Sequence, residues 1–273
     1  MMLIFFLNCT HSTFTPPSIN IDMVEFSQST FDMGLPDLEV GPYGNSWKET
    51  AQPLHEVSLP TFIIDKTEVT IAQYLLFLNS IESEVSGSAY AHYHPLQPII
   101  WKDDNFISTQ QETQLPMNYV SYYDALAFCS WRGSSLPTEA MWERAAKGAD
   151  RENPRSYPWL EGGPNCQKAA YYTDNTLCAP APKAVDTYPD GATPEGILGM
   201  GGNVSEWVWD WYARYEETSI HNPRGPDTGT YKIVRGGGFR ETKDALRTTD
   251  RVVANPLSRS EGIGFRCAHE VPQ

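Results

Sequence analysis

Short alternating runs dominate the first part of the chain. His55-Glu56-Val57-Ser58-Leu59 alternates with period two, and Phe62-Ile63-Ile64-Asp65 continues it as a second short strand. Upstream, Phe31-Asp32-Met33-Gly34 reads as a strand entering a turn, and Gly41-Pro42-Tyr43-Gly44 as another turn. The period then changes. Ile71, Tyr74, Leu75 and Leu78 fall at helical spacing behind Thr70, a plausible N-cap. Residues 82–116 show no period and predict irregular chain. They hold His92 and His94, which beside Pro95 read as a solvated loop rather than as ligands. Ser121-x-x-Asp124 is a capping-box variant that heads a helix over Tyr122–Trp131, stopped by Gly133. Thr138 caps a second short helix through Lys147, with Gly148 as its terminator.

Residues 148–198 form a long excursion rich in Pro, Gly and Asn. So much irregular chain suits a loop-dominated, lectin-like α+β fold. After it, Trp207–Tyr212 and Tyr231–Phe239 read as strands, and Gly264–Ala268 as a last one. Trp207, Trp209 and Trp211 alternate, which on a strand puts all three on one face. They are expected in the core, with at most one at a groove. No internal repeat and no interior domain break is visible. The expected division is a leader and tether over 1–25 and one domain over 26–273.

Composition narrows the function classes. There are 20 Lys+Arg against 34 Asp+Glu, a formal net charge of −14. That balance argues against nucleic acid, whose binding is driven by cationic side chains releasing counterions, and against a polybasic membrane patch. No apolar run approaches the ~18 residues of a membrane helix. Met1–Leu7 is apolar and Cys9 follows, which resembles the end of a bacterial lipoprotein signal. The basic segment and the longer apolar run are missing, and Asn8 stands where a small residue is usual. Cys9 is therefore expected to be the lipidation site of a protein of the bacterial cell envelope, the alternative being an ordinary hydrophobic terminus. If Cys9 carries lipid, four of the five cysteines remain to pair. Cys166 and Cys178 are near neighbours in a loop-rich stretch, which leaves Cys129 with Cys267. Such bonds need an oxidising compartment; the competing reading is five free thiols in a cytosolic protein. There is no C-x-x-C motif.

Several segments, in order, resemble the formylglycine-generating enzyme family, or sulfatase-modifying-factor domain. They are residues 62–77 (FIIDKTEVTIAQYLLF), 116–148 (PMNYVSYYDALAFCSWRGSSLPTEAMWERAAKG), Tyr157-Pro158-Trp159, 201–211 (GGNVSEWVWDW), 234–239 (VRGGGF) and 264–268 (GFRCA). The resemblance implies one large domain related to the C-type lectin-like fold, with the N- and C-terminal regions in one core. It also adds weight to Cys129–Cys267, a pairing found in some members.

Enzymes of that family oxidise a sulfatase cysteine to formylglycine with oxygen and copper, the copper being held by two thiolates. Soft thiolates select Cu(I). Aligning Arg235-Gly236-Gly237 with the family motif puts Glu241 and Leu246 at the two thiol positions, and Gly238 where the enzymes carry serine. Copper is not expected, and neither is formylglycine formation. An iron-dependent branch draws histidines from an added helical domain. Here His11, His55, His92, His94, His221 and His269 are scattered. The resemblance also implies a calcium loop, matched by Gly202, Val204 and Glu206, with its upstream side-chain ligand replaced by Gly199. Arg235 and Arg266 are expected to pair with buried carboxylates such as Glu206, Asp210 and Asp250, while Arg247 and Arg251 are candidates for lining a peptide groove. The reading that results is a non-catalytic binding or envelope-organising module. It meets an envelope protein or peptide, and touches membrane only through a lipid anchor. The alternative is an enzyme whose chemistry does not use the two thiolates.

Overall fold

A computed structural model of the chain describes residues 21–36, 50–84, 86–173 and 175–272. Cys9, the tether and the turn at 41–44 lie outside the described residues. The first strand, β1 (Met23–Phe26), starts a few residues before the expected domain boundary. β2 (Ser29–Met33), β3 (His55–Leu59) and β4 (Phe62–Asp65) follow. β2 pairs antiparallel with β3, and β1 with β4. The alternation of β3 is realised: His55, Val57 and Leu59 are buried and the residues between them are not.

α1 (Ile71–Glu84) begins where the period changes. Thr70 Oγ1 accepts from the Gln73 amide (3.3 Å) and Gln73 Oε1 accepts from the Thr70 amide (2.9 Å), a reciprocal cap. The expectation of irregular chain over 82–116 needs correction. β5 (Ile99–Lys102) and β6 (Asn105–Ser108) form a hairpin there. Asp103 and Asp104 both take positive φ, as the favoured two-residue hairpin turn requires. His92 is not in a solvated loop either. Its ring lies 5.5 Å from Phe77, and its Nδ1 is 3.3 Å from Asp124.

α2 (Tyr122–Trp131) carries the predicted capping box between Ser121 and Asp124, and α3 (Glu139–Lys147) is capped by Thr138. The excursion after it contributes only β7 (Tyr172–Thr173), β8 (Thr176–Leu177) and a 3-10 turn at Pro189–Gly191. β9 (Ser205–Trp211), β10 (Ile220–His221), β11 (Lys232–Arg235), β12 (Val252–Ala254), β13 (Ile263–Gly264) and β14 (Ala268–Glu270) complete the strands. The largest sheet has the order β12-β11-β9-β13, while β14 pairs with β4 opposite β1, so both ends of the domain share one sheet. The strand expected over Gly264–Ala268 is thus two. Phe265 and Cys267 bond instead to the backbone of Val69 and Asp65, turning the chain between the sheets. The alternating tryptophans are not equivalent: Trp207 is fully buried, Trp209 and Trp211 only half. β9 lies inside its sheet, so Val208 and Asp210 on its other face are buried as well.

One apolar core packs Tyr74, Phe77, Phe128 and Phe265 between α1 and α2; another gathers Phe26, Phe31 and Phe62 with Trp142 of α3. Both expected disulfides form. Cys129–Cys267 ties α2 to the C-terminal strand region, and Cys166–Cys178 closes the excursion. The fold is α+β and loop-rich, as expected.

Candidate functional site

The chain after β11 builds a groove. Gly236 and Gly237 take φ of +90° and +68°. A Cβ on Gly236 would stand 3.0 Å from the Trp142 ring, and one on Gly237 2.9 Å from the Ala245 carbonyl, so glycine is required at both. The turn sends residues 238–241 along one wall of a cavity of about 440 Å³. Tyr119 and residues 259–263 form the opposite wall. Tyr119 has φ of +52°, a strained backbone for a bulky side chain. Its amide donates to the Ser260 carbonyl, and Asn118 Nδ2 donates to the Glu261 carbonyl, each at 3.0 Å. At Gly238 a Cβ would meet the Gly262 carbonyl at 3.0 Å. A serine there needs the 262 backbone to shift.

Glu241 stands exposed on the groove wall, its backbone pinned to Gly238 and Tyr172. Leu246 is fully buried against Trp159, Ala169 and Tyr171. The two positions therefore face different surroundings, and neither side chain is a soft donor. The cysteines at 129, 166, 178 and 267 are all disulfide-bonded, so no thiol remains among the described residues. This donor set does not fit copper. Two guanidiniums line the groove and both are paired: Arg240 with Glu261 (3.0 Å) and Arg259 with Asp124 (2.6 Å). Burial opposes the charge on Asp124. Hydrogen bonds from His92 and Ser121, together with Arg259, nevertheless hold its carboxyl below the ordinary range.

Neither of the other two candidate groove arginines lies in this cavity. Arg251 is buried because it answers a buried carboxylate: its Nε and Nη2 reach Glu139 at 2.7 and 2.8 Å, and its Nη1 donates to the Thr50 and Ala213 carbonyls. Arg247 is half-buried over the Tyr157 ring and 3.4 Å from Asp244, on a separate cavity beside Lys147. Arg235 and Arg266 are structural, as expected, with partly different partners. Arg235 pairs with Glu143 and Glu139 and takes the Asp250 main-chain carbonyl rather than its carboxylate. Glu139 and Glu143 lie one turn apart on α3, a spacing legible in the sequence but not read there as a cation site. Burial opposes the charge on Glu143, and Lys147 and Arg235 outweigh it.

The calcium expectation also changes. Arg266 grips both oxygens of Glu206 at 2.7 Å, and Trp142 Nε1 donates to Oε2 at 2.8 Å. A divalent cation at Glu206 would face a buried guanidinium, so Gly202, Val204 and Glu206 do not fit a calcium ligand set. Gly199 has its own explanation. A Cβ there would lie 2.4 Å from Glu68 Oε2, so the space belongs to Glu68, a buried carboxylate that sequence reading missed. Asn203 Nδ2 donates to its Oε1 at 2.9 Å, while Oε2 has no partner among the described residues. Burial pushes this carboxyl up to about 7.

The chain is 34% identical to the serine/threonine-protein kinase pkn1 of Chlamydia caviae over 230 residues, which cover 80% of this chain and 34% of the kinase. It thus spans about a third of the length of the kinases it matches. It is 28% identical to the formylglycine-generating enzyme of Thermomonospora curvata over 299 residues, covering 93% and 95% of the two chains. Among solved structures, Treponema denticola variable protein 1 superposes with a TM-score of 0.67 at 21% identity, covering 94% of this chain and 98% of that one. PvdO from Pseudomonas aeruginosa superposes with a TM-score of 0.66 at 25% identity, covering 91% and 94%. The model of the sulfatase-modifying factor enzyme 1-like domain matches residues 17–271, and the chain belongs to that family.

Proposed function

We propose that this protein is a non-catalytic binding module of the bacterial cell envelope, which uses the groove between residues 238–241 and 259–263 to hold a peptide segment of a partner protein. The observation that carries this reading is the fate of the two positions aligned with the family thiols. One presents the Glu241 carboxylate to the groove, and the other buries Leu246 in the core. The groove offers the paired charges of Arg240–Glu261 and Arg259–Asp124. Two disulfides favour an oxidising compartment, and Cys9 supplies a lipid anchor. Relatives in the family include enzymes, so the competing reading is an enzyme of different chemistry.

Occlusion of the groove tests the proposal. Val252 lines its mouth and is 46% exposed, so Val252→Trp fills the cavity without entering the core. Partners captured from envelope extract by the wild type, and mapped to the groove by crosslinking from position 241, are expected to be lost in Val252→Trp at unchanged melting temperature. Partners retained by the occluded variant would contradict the assignment. Cys9→Ala is expected to release the protein from the membrane fraction; unchanged association would remove the anchor.

A further inference from the structure

A second cavity, of about 330 Å³, shares no lining residue with the groove. We propose that it binds a small organic ammonium ion with an apolar body, held by the carboxylate of Asp210. Asp210 is only 5% exposed. Its Oδ2 accepts from the Glu139 amide at 2.7 Å, and Oδ1 has no hydrogen-bond partner among the described residues. Gly225 closes the site from above: a Cβ there would stand 3.2 Å from Oδ1, and its φ is +68°.

His55 and Tyr215 form part of the same wall. His55 Nδ1 lies 3.0 Å from the Pro53 carbonyl, which can only accept, so Nδ1 donates to it and the ring is fixed in the wall. The Tyr215 ring is held between His55 (4.6 Å) and Arg251 (3.8 Å), while its hydroxyl is buried away from the cavity and is not offered to a ligand. The cavity's cations are of no use to an anion at its floor. Arg251 is engaged by Glu139 and two carbonyls, Arg224 by Glu270, and Arg214 is exposed. An anion would also meet Asp210 and Glu139. A metal ion would find too few donors, since the described residues contain no cluster of three ligating side chains. Apart from the exposed carboxylate of Glu216, the remaining lining, including Met33, Trp211, Ile220 and Pro223, is apolar or aromatic and suits the body of an organic cation. Burial, and next to it the Glu139 carboxylate, act against the charge on Asp210. An ammonium ion against Oδ1 offsets both.

Titration of the purified protein with phenethylamine and with phenylacetate, followed by calorimetry, tests the proposal. The amine is expected to bind saturably and the carboxylate not. Asp210→Asn is expected to weaken the amine at least about tenfold, the loss of one charge-assisted bond. Should that variant not fold, Ile220→Trp decides, because it fills the cavity without touching Asp210 and is expected to abolish binding. Absence of saturable amine binding, equal binding of phenylacetate, or unchanged affinity in the folded variants would overturn the assignment.

Discussion

Glu68 is buried with one oxygen unpartnered among the described residues, and burial raises its carboxyl from an ordinary 4.5 to about 7. The sign of the consequence follows from proton counting. Between those values the folded protein holds a proton that the unfolded chain has released. Stability is therefore full below about 4.5 and falls as pH rises through 7, by about 3 kcal/mol if the whole shift is realised. Glu68→Gln removes this dependence. Denaturant titrations at pH 5 and pH 8 are expected to differ less in the variant, which should be the more stable at pH 8. An unchanged pH slope would show that Glu68 does not titrate this way. Nothing near Glu68 in the sequence signals this. Its partner is Asn203, 135 residues away, and the space is opened by Gly199. The same limit applies to Arg251. Its buried fate depends on Glu139 and on the carbonyls of Thr50 and Ala213, all distant in sequence.

At the scale of elements, local signals were legible where capping and period are local. The Ser121–Asp124 box, the Thr138 cap, the alternation of β3 and the spacing of α1 all appear as read. The β5–β6 hairpin was missed because its turn is Asp-Asp rather than the usual Asn-Gly or Asp-Gly. The C-terminal strand was read as one because the crossing of Arg266 to Glu206 is a tertiary event. α3 is fixed to the strands by ions as well as by packing. Glu139 and Glu143, on one face of the helix, receive Arg251 and Arg235. Arg251→Met leaves Glu139 buried with its bidentate partner gone, and the expected loss is about 3–5 kcal/mol. Combining it with Glu139→Gln should recover part of that loss. Chemical denaturation of the single and double variants measures both, and a single variant within experimental error of wild type would contradict the docking role.

At the scale of the whole molecule, the family motifs made the fold readable, while the reading of function rests on the alignment that puts Glu241 and Leu246 at the two thiol positions. Cys129–Cys267 spans 138 residues and Cys166–Cys178 spans 12. Loop closure in the unfolded chain predicts about 5 kcal/mol for the first and about 3 for the second. Cys129→Ala with Cys267→Ala should therefore lower the denaturation midpoint more than the Cys166→Ala, Cys178→Ala pair, and the reverse order would show that the local staple matters more. Under the proposed function, the fold works without the copper-thiolate reaction. The direct measurement is incubation of the purified protein with Cu(I), oxygen and a Cys-x-Pro-x-Arg peptide, followed by mass spectrometry. With a carboxylate at 241 and a buried leucine at 246, the peptide should be recovered with its cysteine unchanged; conversion of that cysteine to the aldehyde, at a rate comparable to a formylglycine-generating enzyme run alongside, would contradict the account.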